Sequence, residues 1–95
     1  ENLNFLSNCK KLTHLSLYDC ESLESVDVFS KLTELTNLNL KGCKNIKSLN
    51  SLMNLKNLKT LNLGGCMFLK PRPSNNLRDL NGEDVSAYQD KIRNH

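Results

Sequence analysis

The chain has 95 residues, enough for one small domain and too few for two independent cores. Hydrophobic residues make up 38% of it, with a bias towards Leu, and thirteen Lys and Arg against ten Asp and Glu give a formal charge of +3. This weak, interspersed charge does not predict a nucleic-acid-binding face, which requires clustered cations. The sequence contains no run of about 18 apolar residues, so it predicts no membrane span, and residues 1–6 lack the pattern of a signal peptide.

A repeat of 23 residues is the first feature along the chain. The pattern Leu-x-x-Leu-x-Leu-x-x-Cys begins at Leu12, Leu35 and Leu58. Four further columns keep the same offset: Leu23, Ile46 and Leu69; Leu3, Val26 and Leu49; Leu6, Phe29 and Leu52; Cys9, Leu32 and Leu55. Leu-x-Leu has the period of a strand, and the longer gaps suit turns or 3₁₀ backbone. Such units bury their Leu only by stacking, so the sequence predicts a solenoid of parallel strands.

The blocks LTHLSLYDC, LTNLNLKGC and LKTLNLGGC resemble the leucine-rich-repeat consensus, over roughly residues 3–70. With the following CESL, CKNI and CMFL, they are similar to the 23-residue repeats of plant intracellular immune receptors and some protozoan repeat proteins. The resemblance implies an α/β leucine-rich-repeat solenoid, with short parallel strands on the concave face and an irregular or 3₁₀ convex side. We expect repeats over residues 1–70: a partial repeat over 1–9, then coils starting near 12, 35 and 58.

The repeat loses its phase after residue 70. Pro71 and Pro73 lack backbone donors, and Arg72 falls in the column of Val26 and Leu49. Because Leu77-x-x-Leu80 follows Leu58-x-x-Leu61 by 19 residues rather than 23, we expect a shortened last strand. Since the chain also begins within a repeat and without Met, we expect it to be part of a longer chain or complex.

Residues 71–95 predict a C-terminal cap that contains a short helix. Ser86 and Gln89 fit a capping box. The acidic Glu83 and Asp84 and the basic Lys91 and Arg93 suit the two ends of a helix dipole, and Val85, Tyr88 and Ile92 form one apolar stripe. The stretch LRDLNGEDVS is similar to a segment that closes several intracellular leucine-rich-repeat proteins. The alternative is that the last ten residues are a frayed polar tail.

The four cysteines do not predict a metal site or a cofactor. They are 11, 23 and 23 residues apart, without the short Cys or His spacings of zinc sites. Although stacked coils bring them within reach of a disulfide, we expect Cys20, Cys43 and Cys66 to be buried thiols at an inward turn position. Reduced thiols favour an intracellular, cytoplasmic location.

We expect no catalytic activity. His14 faces outward from the predicted strand whereas Cys20 points inward, so the two do not form a nucleophile pair. No phosphate-binding loop is present, and Gly64 and Gly65 are explained by a tight turn repeated at Lys41 and Gly42.

The outward strand positions predict a protein-binding surface, because the resemblance implies that the concave face engages partners. The predicted contact residues are His14, Ser16, Tyr18, Asp19, Asn37, Asn39, Lys41, Thr60 and Asn62, beside Gly42, Gly64 and Gly65. Tyr18 is the expected anchor, since Tyr is enriched at interface hot spots. For any single position, a solvated sheet face is the alternative.

These features predict a protein-interaction module or scaffold with protein partners and no membrane or nucleic-acid ligand. Three alternatives stay open. One is a ligand-sensing segment of an immune-type receptor, which would carry a nucleotide-binding domain upstream. Another is a structural subunit of a large intracellular assembly, of the ciliary or RNA-processing type. The third is an adaptor for a separate catalytic chain.

Overall fold

In a computed structural model, which describes residues 6, 8–73 and 78–94, short strands alternate with turns and 3₁₀ helices. The strands are β1 (His14–Ser16), β2 (Asn37–Asn39), β3 (Thr60–Asn62) and β4 (Asp79–Asn81). Two 3₁₀ helices, Asp27–Lys31 and Asn50–Leu52, lie between the first three strands, and helix α1 (Glu83–Arg93) ends the chain. Most of the partial repeat over residues 1–9, including Leu3, and Leu77 of the last Leu pair lie outside the described residues.

The first three strands pair in parallel with the 23-residue offset of the sequence repeat. His14 pairs with Asn37, and Asn37 pairs with Thr60. Backbone hydrogen bonds continue past the strand ends, as in the 2.7 Å bond from the Asp19 N–H to the Lys41 carbonyl. Equal repeat lengths therefore place equivalent residues of neighbouring units side by side.

The last strand differs from the prediction of a parallel sheet. β4 pairs with β3 antiparallel, with Leu80 opposite Leu61 in the order β1-β2-β3-β4. The connection to β4 is shorter than those between the earlier strands, but β4 itself has three residues, as do β1, β2 and β3, so the prediction of a shortened last strand was wrong. The expectation of parallel strands throughout was wrong at this position, although Leu80 still points into the core and is 1% exposed.

The core consists of the inward columns of the repeat. In the unit of β2, Leu35, Leu38 and Leu40 are at most 2% exposed, and Phe29 and Leu52 from the 3₁₀ helices are buried below them. Each Leu packs against its counterparts in the neighbouring units, so burial is shared between units instead of being completed within one.

Helix α1 packs its apolar stripe onto this core, as predicted. Val85, Tyr88 and Ile92 are 0%, 3% and 6% exposed, and the Tyr88 hydroxyl donates a 2.7 Å hydrogen bond to the Pro71 carbonyl. Glu83 and Asp84 lie in the first turn and Lys91 and Arg93 in the last. Arg93 also donates to the Met53 carbonyl at 2.9 Å, so the described end of the chain is a packed helix and not a frayed tail.

The predicted capping box was wrong. The helix begins after Gly82 with no side-chain cap, which places Ser86 inside the helix. Gln89 instead reaches across to the last 3₁₀ turn, where Nε2 donates to the carbonyls of Leu52 and Leu55 at 2.9 and 3.0 Å. Gln89 therefore bonds to carbonyl groups of another segment instead of forming the local Ser86–Gln89 capping box that the spacing predicted.

The break at Pro71-Arg72-Pro73 leaves an arginine where earlier units bury Val26 and Leu49. Arg72 is exposed, and its guanidinium donates a 2.7 Å hydrogen bond to the Met67 carbonyl. Pro71 and Pro73 are buried beside it. In the described part of the chain, no helix is long and apolar enough to cross a membrane.

Candidate functional site

The sheet face carries a shallow depression of about 360 Å³ over the three parallel strands. Because residues alternate along a strand, the side chains next to each buried Leu point outward from the sheet. Six of the predicted contact residues line this depression: His14, Ser16, Asn37, Asn39, Thr60 and Asn62. The surface is thus formed by amide, hydroxyl and imidazole groups, which donate and accept hydrogen bonds without a net charge.

Hydrogen bonds position several of these side chains. The Thr36 hydroxyl donates to Asn37 Oδ1 at 2.7 Å, and the Lys41 backbone N–H donates to Asn39 Oδ1 at 2.9 Å. His14 Nδ1 lies 2.9 Å from the Thr13 hydroxyl. With their carbonyl oxygens engaged locally, Asn37 and Asn39 offer their amide N–H groups as donors on the sheet face.

A second depression, also of about 360 Å³, lies at the carboxyl ends of the parallel strands. Its lining includes the other three predicted contact residues, Tyr18, Asp19 and Lys41. Gly42, Gly64 and Gly65 also line it, together with Arg78, which precedes β4, and Asp79, the first residue of β4. All nine predicted residues therefore border one of two depressions on the strand side of the molecule.

Tyr18 and Lys41 form the most prominent feature of the second depression. Tyr18 is 59% exposed, and Lys41 Nζ lies 6.0 Å from the centre of its ring. That distance is at the outer limit of a cation–π interaction, which is worth about 0.5–1 kcal/mol at an exposed site. The pair presents an aromatic ring and a cation from neighbouring units.

The turns below this pair require an unusual backbone conformation. Asp19, Gly42 and Gly65 occupy one column of the repeat and have φ values of 58°, 83° and 81°. The φ of Gly42 favours glycine, and a Cβ atom there would also displace the Asp19 carboxylate. The glycines keep the second depression open at the third unit.

The geometry and the repeat agree with a comparison against known families. The model of the family R13L1/DRL21 LRRs matches residues 3–66, about two thirds of the chain. The chain is a leucine-rich-repeat protein. Its repeats resemble those of plant immune receptors, as the sequence indicated. No curated protein and no solved structure gave a significant match. Leucine-rich repeats are in general protein-interaction modules, which is what family membership shows about function.

The cysteine column of this leucine-rich repeat fills space inside the turns. Cys43 and Cys66 are 0% and 6% exposed, and their thiols donate to the carbonyls of Leu17 and Leu40 at 3.0 and 3.3 Å. Burial raises the pKa of both thiols, to about 11 for Cys66. The prediction of buried thiols is confirmed for these two.

Cys20 departs from that prediction, because it is only half-buried. It belongs to the first described strand unit, and its Sγ atom lies 3.9 Å from the Ser22 hydroxyl. No described strand packs on the far side of β1. Among the described residues, no group of three or more His, Cys, Asp or Glu is arranged to hold a metal ion.

Sequence reasoning missed Arg78 and Asp79 as neighbours of the predicted contact residues. They lie 37 and 38 residues after Lys41 and belong to no column of the repeat. The antiparallel pairing of β4 places Asp79 opposite Asn62 and so brings both charges to the second depression. The 19-residue spacing predicted a shortened last strand, which is wrong because β4 is as long as β1, β2 and β3, and it did not indicate the antiparallel direction.

Proposed function

We propose that this leucine-rich-repeat protein is a protein-binding module or scaffold that uses its sheet face, and that it is not itself an enzyme. The observation that supports this most directly is the position of the nine predicted residues around two adjoining depressions. The first offers neutral hydrogen-bonding groups and the second offers an aromatic ring with charges. This combination suits a polypeptide surface, whose contacts mix hydrogen bonds with a few aromatic anchors.

In the proposed arrangement, the repeat units over residues 1–70 form a short solenoid whose sheet lines the concave side. Residues 71–95 act as its C-terminal cap. The support for this geometry is the one offset between the parallel strands, the 3₁₀ helices between them and the helix packed at one end. The buried thiols of Cys43 and Cys66 suit an intracellular, cytoplasmic location, where they would stay reduced.

Tyr18 and Lys41 are the proposed anchors of the contact. Tyr18 offers a large exposed apolar ring with a polar hydroxyl group, and Lys41 offers a charge beside it. Burial of such a ring by a partner contributes more than the small polar groups around it.

Pull-down from the native source followed by quantitative mass spectrometry tests this proposal. The variant Tyr18→Ala with Lys41→Glu should lose partners that the wild type retains. Lys31→Glu is the matched control, since it reverses an exposed charge on the 3₁₀ side and should retain the same partners. Partner lists that do not differ between wild type and the double variant would overturn the sheet-face proposal.

A ligand-sensing segment of an immune-type receptor is the second candidate. The similarity of the repeats to those of plant immune receptors favours it over an assembly subunit. It requires a nucleotide-binding P-loop domain upstream of Glu1 in the full-length protein. Sequencing the complete transcript decides the matter, because a transcript that encodes no such domain excludes this candidate.

A further inference from the structure

The charges of this protein are segregated along the stack of repeat units and not interspersed as we expected, although the formal charge is only +3. Residues 35–78 contain no Asp or Glu. The same stretch contains eight cations: Lys41, Lys44, Lys47, Lys56, Lys59, Lys70, Arg72 and Arg78. The second and third units are therefore purely cationic, and the acidic side chains lie before and after them.

Four of these cations share one surface with two exposed apolar side chains. We call this surface the post-strand edge, because it is formed by the segments that follow β2 and β3. It comprises Lys44, Lys47, Met67, Phe68, Lys70 and Arg72, all of them exposed. The Lys70 N–H donates to the Lys47 carbonyl at 3.0 Å, and Arg72 donates to the Met67 carbonyl at 2.7 Å. These contacts make the post-strand edge continuous.

Met67 and Phe68 are unusual for this position of the repeat. They are 54% and 58% exposed, whereas the equivalent positions of the two earlier units are polar or charged: Glu21 and Lys44, Ser22 and Asn45. A surface column that is polar in two units has no packing reason to be apolar in the third. Adjacent exposed Met and Phe are instead typical of a contact surface.

A cavity of about 540 Å³ opens beside Met67. Its lining mixes apolar side chains, among them Leu69 and Pro73, with the two arginines Arg72 and Arg78. The volume is within the range of pockets that accept a small ligand or a few side chains. Apolar groups and guanidinium groups in one lining suit an aliphatic side chain flanked by carboxylates.

The cations of the post-strand edge are largely free of acidic neighbours. Lys44 lies 3.6 Å from Glu21, in a pair whose side chains are both more than half exposed. Within the described residues, neither Lys47, Lys70 nor Arg72 forms an ion pair. Their charge therefore remains available to a partner of opposite sign.

We infer that the post-strand edge is a second binding surface, next to the sheet face, and that its occupant is an acidic segment of a partner polypeptide carrying an aliphatic side chain. Gly65 and Arg78 lie between the two surfaces and line a depression of each, whereas Met67, Phe68, Lys70 and Arg72 belong to the post-strand edge alone. The carboxylates pair with Lys47, Lys70 and Arg72. The aliphatic side chain packs on Met67 and Phe68, of which Met67 also lines the cavity. Charge complementarity gives the orientation and the rate of encounter, and the apolar contact gives the preference for one acidic segment over another.

A nucleic acid fits this surface less well. Single-stranded nucleic acids are held by several aromatic platforms along a cationic groove, whereas Phe68 is the one aromatic residue of the post-strand edge. The cavity at Met67 is lined by apolar side chains and two arginines, and, among the described residues, no aromatic ring that could stack on a base lines it.

Fluorescence anisotropy with two labelled peptides tests the inference. One is the acidic peptide DEDLLDEDE, and the other is DEDSSDEDE, in which Ser replaces Leu. We expect the wild type to bind the leucine peptide about five-fold more tightly, because only that peptide buries apolar area on Met67 and Phe68. A uridine oligonucleotide and phosphatidylserine vesicles serve as the alternative anionic probes.

Three variants separate the charge from the apolar contact. Met67→Ser with Phe68→Ser should abolish the preference for leucine while retaining binding of the serine peptide. Lys70→Glu with Arg72→Glu should weaken both peptides about ten-fold, since two attractions become repulsions. Lys47→Glu with Lys70→Glu gives a charge variant that leaves the Arg72 hydrogen bond in place.

The matched control is Lys56→Glu with Lys59→Glu. It reverses two exposed cations on the opposite edge, in the segment that precedes β3, and should change peptide affinity less than about two-fold. Tyr18→Ala should also leave peptide binding unchanged, which distinguishes this surface from the sheet face. Circular dichroism and melting temperature confirm that each variant is folded.

Any of four results would overturn the inference. The first two are that the leucine peptide does not bind, or that the preference for leucine survives Met67→Ser with Phe68→Ser. The other two are that the control on the opposite edge loses as much peptide affinity as the charge variants, or that the oligonucleotide or the vesicles bind more tightly than the leucine peptide. Loss of native partners on substitution of Tyr18 bears on the sheet face alone, so the two proposals can fail separately.

Discussion

The units of β1 and β2 have the same sequence pattern and different burial. Leu35, Leu38, Leu40 and Cys43 are between 0% and 2% exposed. Their counterparts 23 residues earlier, Leu12, Leu15, Leu17 and Cys20, are half-buried. The β2 unit lies between two strands, whereas β1 pairs with only one described strand. Identical residues thus gain different amounts of stability, because a repeat unit depends on its neighbours for burial.

At the opposite edge of the sheet, the third repeat unit is covered by other elements. β3 pairs with β4, and α1 packs against β4 and the 3₁₀ helix Asn50–Leu52. Leu58, Leu61 and Leu63 of the third unit are therefore 5%, 1% and 5% exposed. A short antiparallel strand and one helix replace a further repeat unit.

Deletion of residues 83–95 should have the largest effect on stability, because it removes helix α1, which packs over the third unit. The three buried side chains of α1 would be lost, and burial of each contributes about 1.5–3 kcal/mol. We expect the free energy of unfolding, measured in urea, to fall by more than about 4 kcal/mol, with lower solubility. Deletion of residues 94–95 alone is the control. If the long truncation has the stability of the parent chain, α1 is not a cap.

Substitution of equivalent leucines in the β1 and β2 units measures how much stability each unit gains from burial. We expect Leu38→Ala to cost about 3 kcal/mol and Leu15→Ala about 1 kcal/mol, because truncation costs more where the surroundings are fully packed. Equilibrium denaturation of both variants gives the difference. Equal costs would mean that β1 is as well packed in solution as β2.

Gln89→Ala tests the polar part of the cover. The substitution leaves the carbonyls of Leu52 and Leu55 without this donor, and we expect a loss of about 1–2 kcal/mol in the free energy of unfolding. Lys91→Ala, at an exposed position of the same helix, should change it by less than about 0.5 kcal/mol. A capping-box role for Gln89 would instead make Ser86→Ala costly, and we expect that variant to be nearly neutral.

Alkaline pH should produce the smallest change in the free energy of unfolding. The change should arise in the third unit, where Cys66 is buried. Burial raises the pKa of Cys66 to about 11, from an ordinary value near 9, so the unfolded chain releases this proton at lower pH than the folded chain does. The associated stability is complete below about pH 9 and is lost as the pH rises towards 11. We expect a loss on the order of 1 kcal/mol by pH 10.5.

Cys66→Ala provides the control for that measurement. It should be less stable than the wild type at pH 7, where the thiol packs and donates to the Leu40 carbonyl. Its stability should then fall less steeply between pH 9 and 10.5. Parallel pH profiles for the two proteins would show that Cys66 does not contribute. Burial also raises the pKa of Tyr88, so some alkaline loss should persist in the variant.

Much of the candidate site was accessible from the sequence because it follows the repeat. An offset of 23 residues places His14, Asn37 and Thr60 side by side, and the strand period assigns them to the outer face. Their role in binding a partner stays a prediction. Arg78 and Asp79 were not accessible, because they reach the site through the pairing of β4 and not through the repeat.

The sequence by itself determined the repeat unit, its register and its inward columns, including the stripe of Val85, Tyr88 and Ile92. These features depend on the spacing of apolar residues, which a linear pattern records directly. Only the tertiary structure decided the direction of β4, the hydrogen bonds of Gln89, and the exposure of Met67 and Phe68 beside cations that, Lys44 apart, form no ion pair with a described residue. Each of these features depends on which backbone groups and side chains the stacked units leave exposed. The sequence pattern of one unit does not specify them, because they are set by the contacts between units.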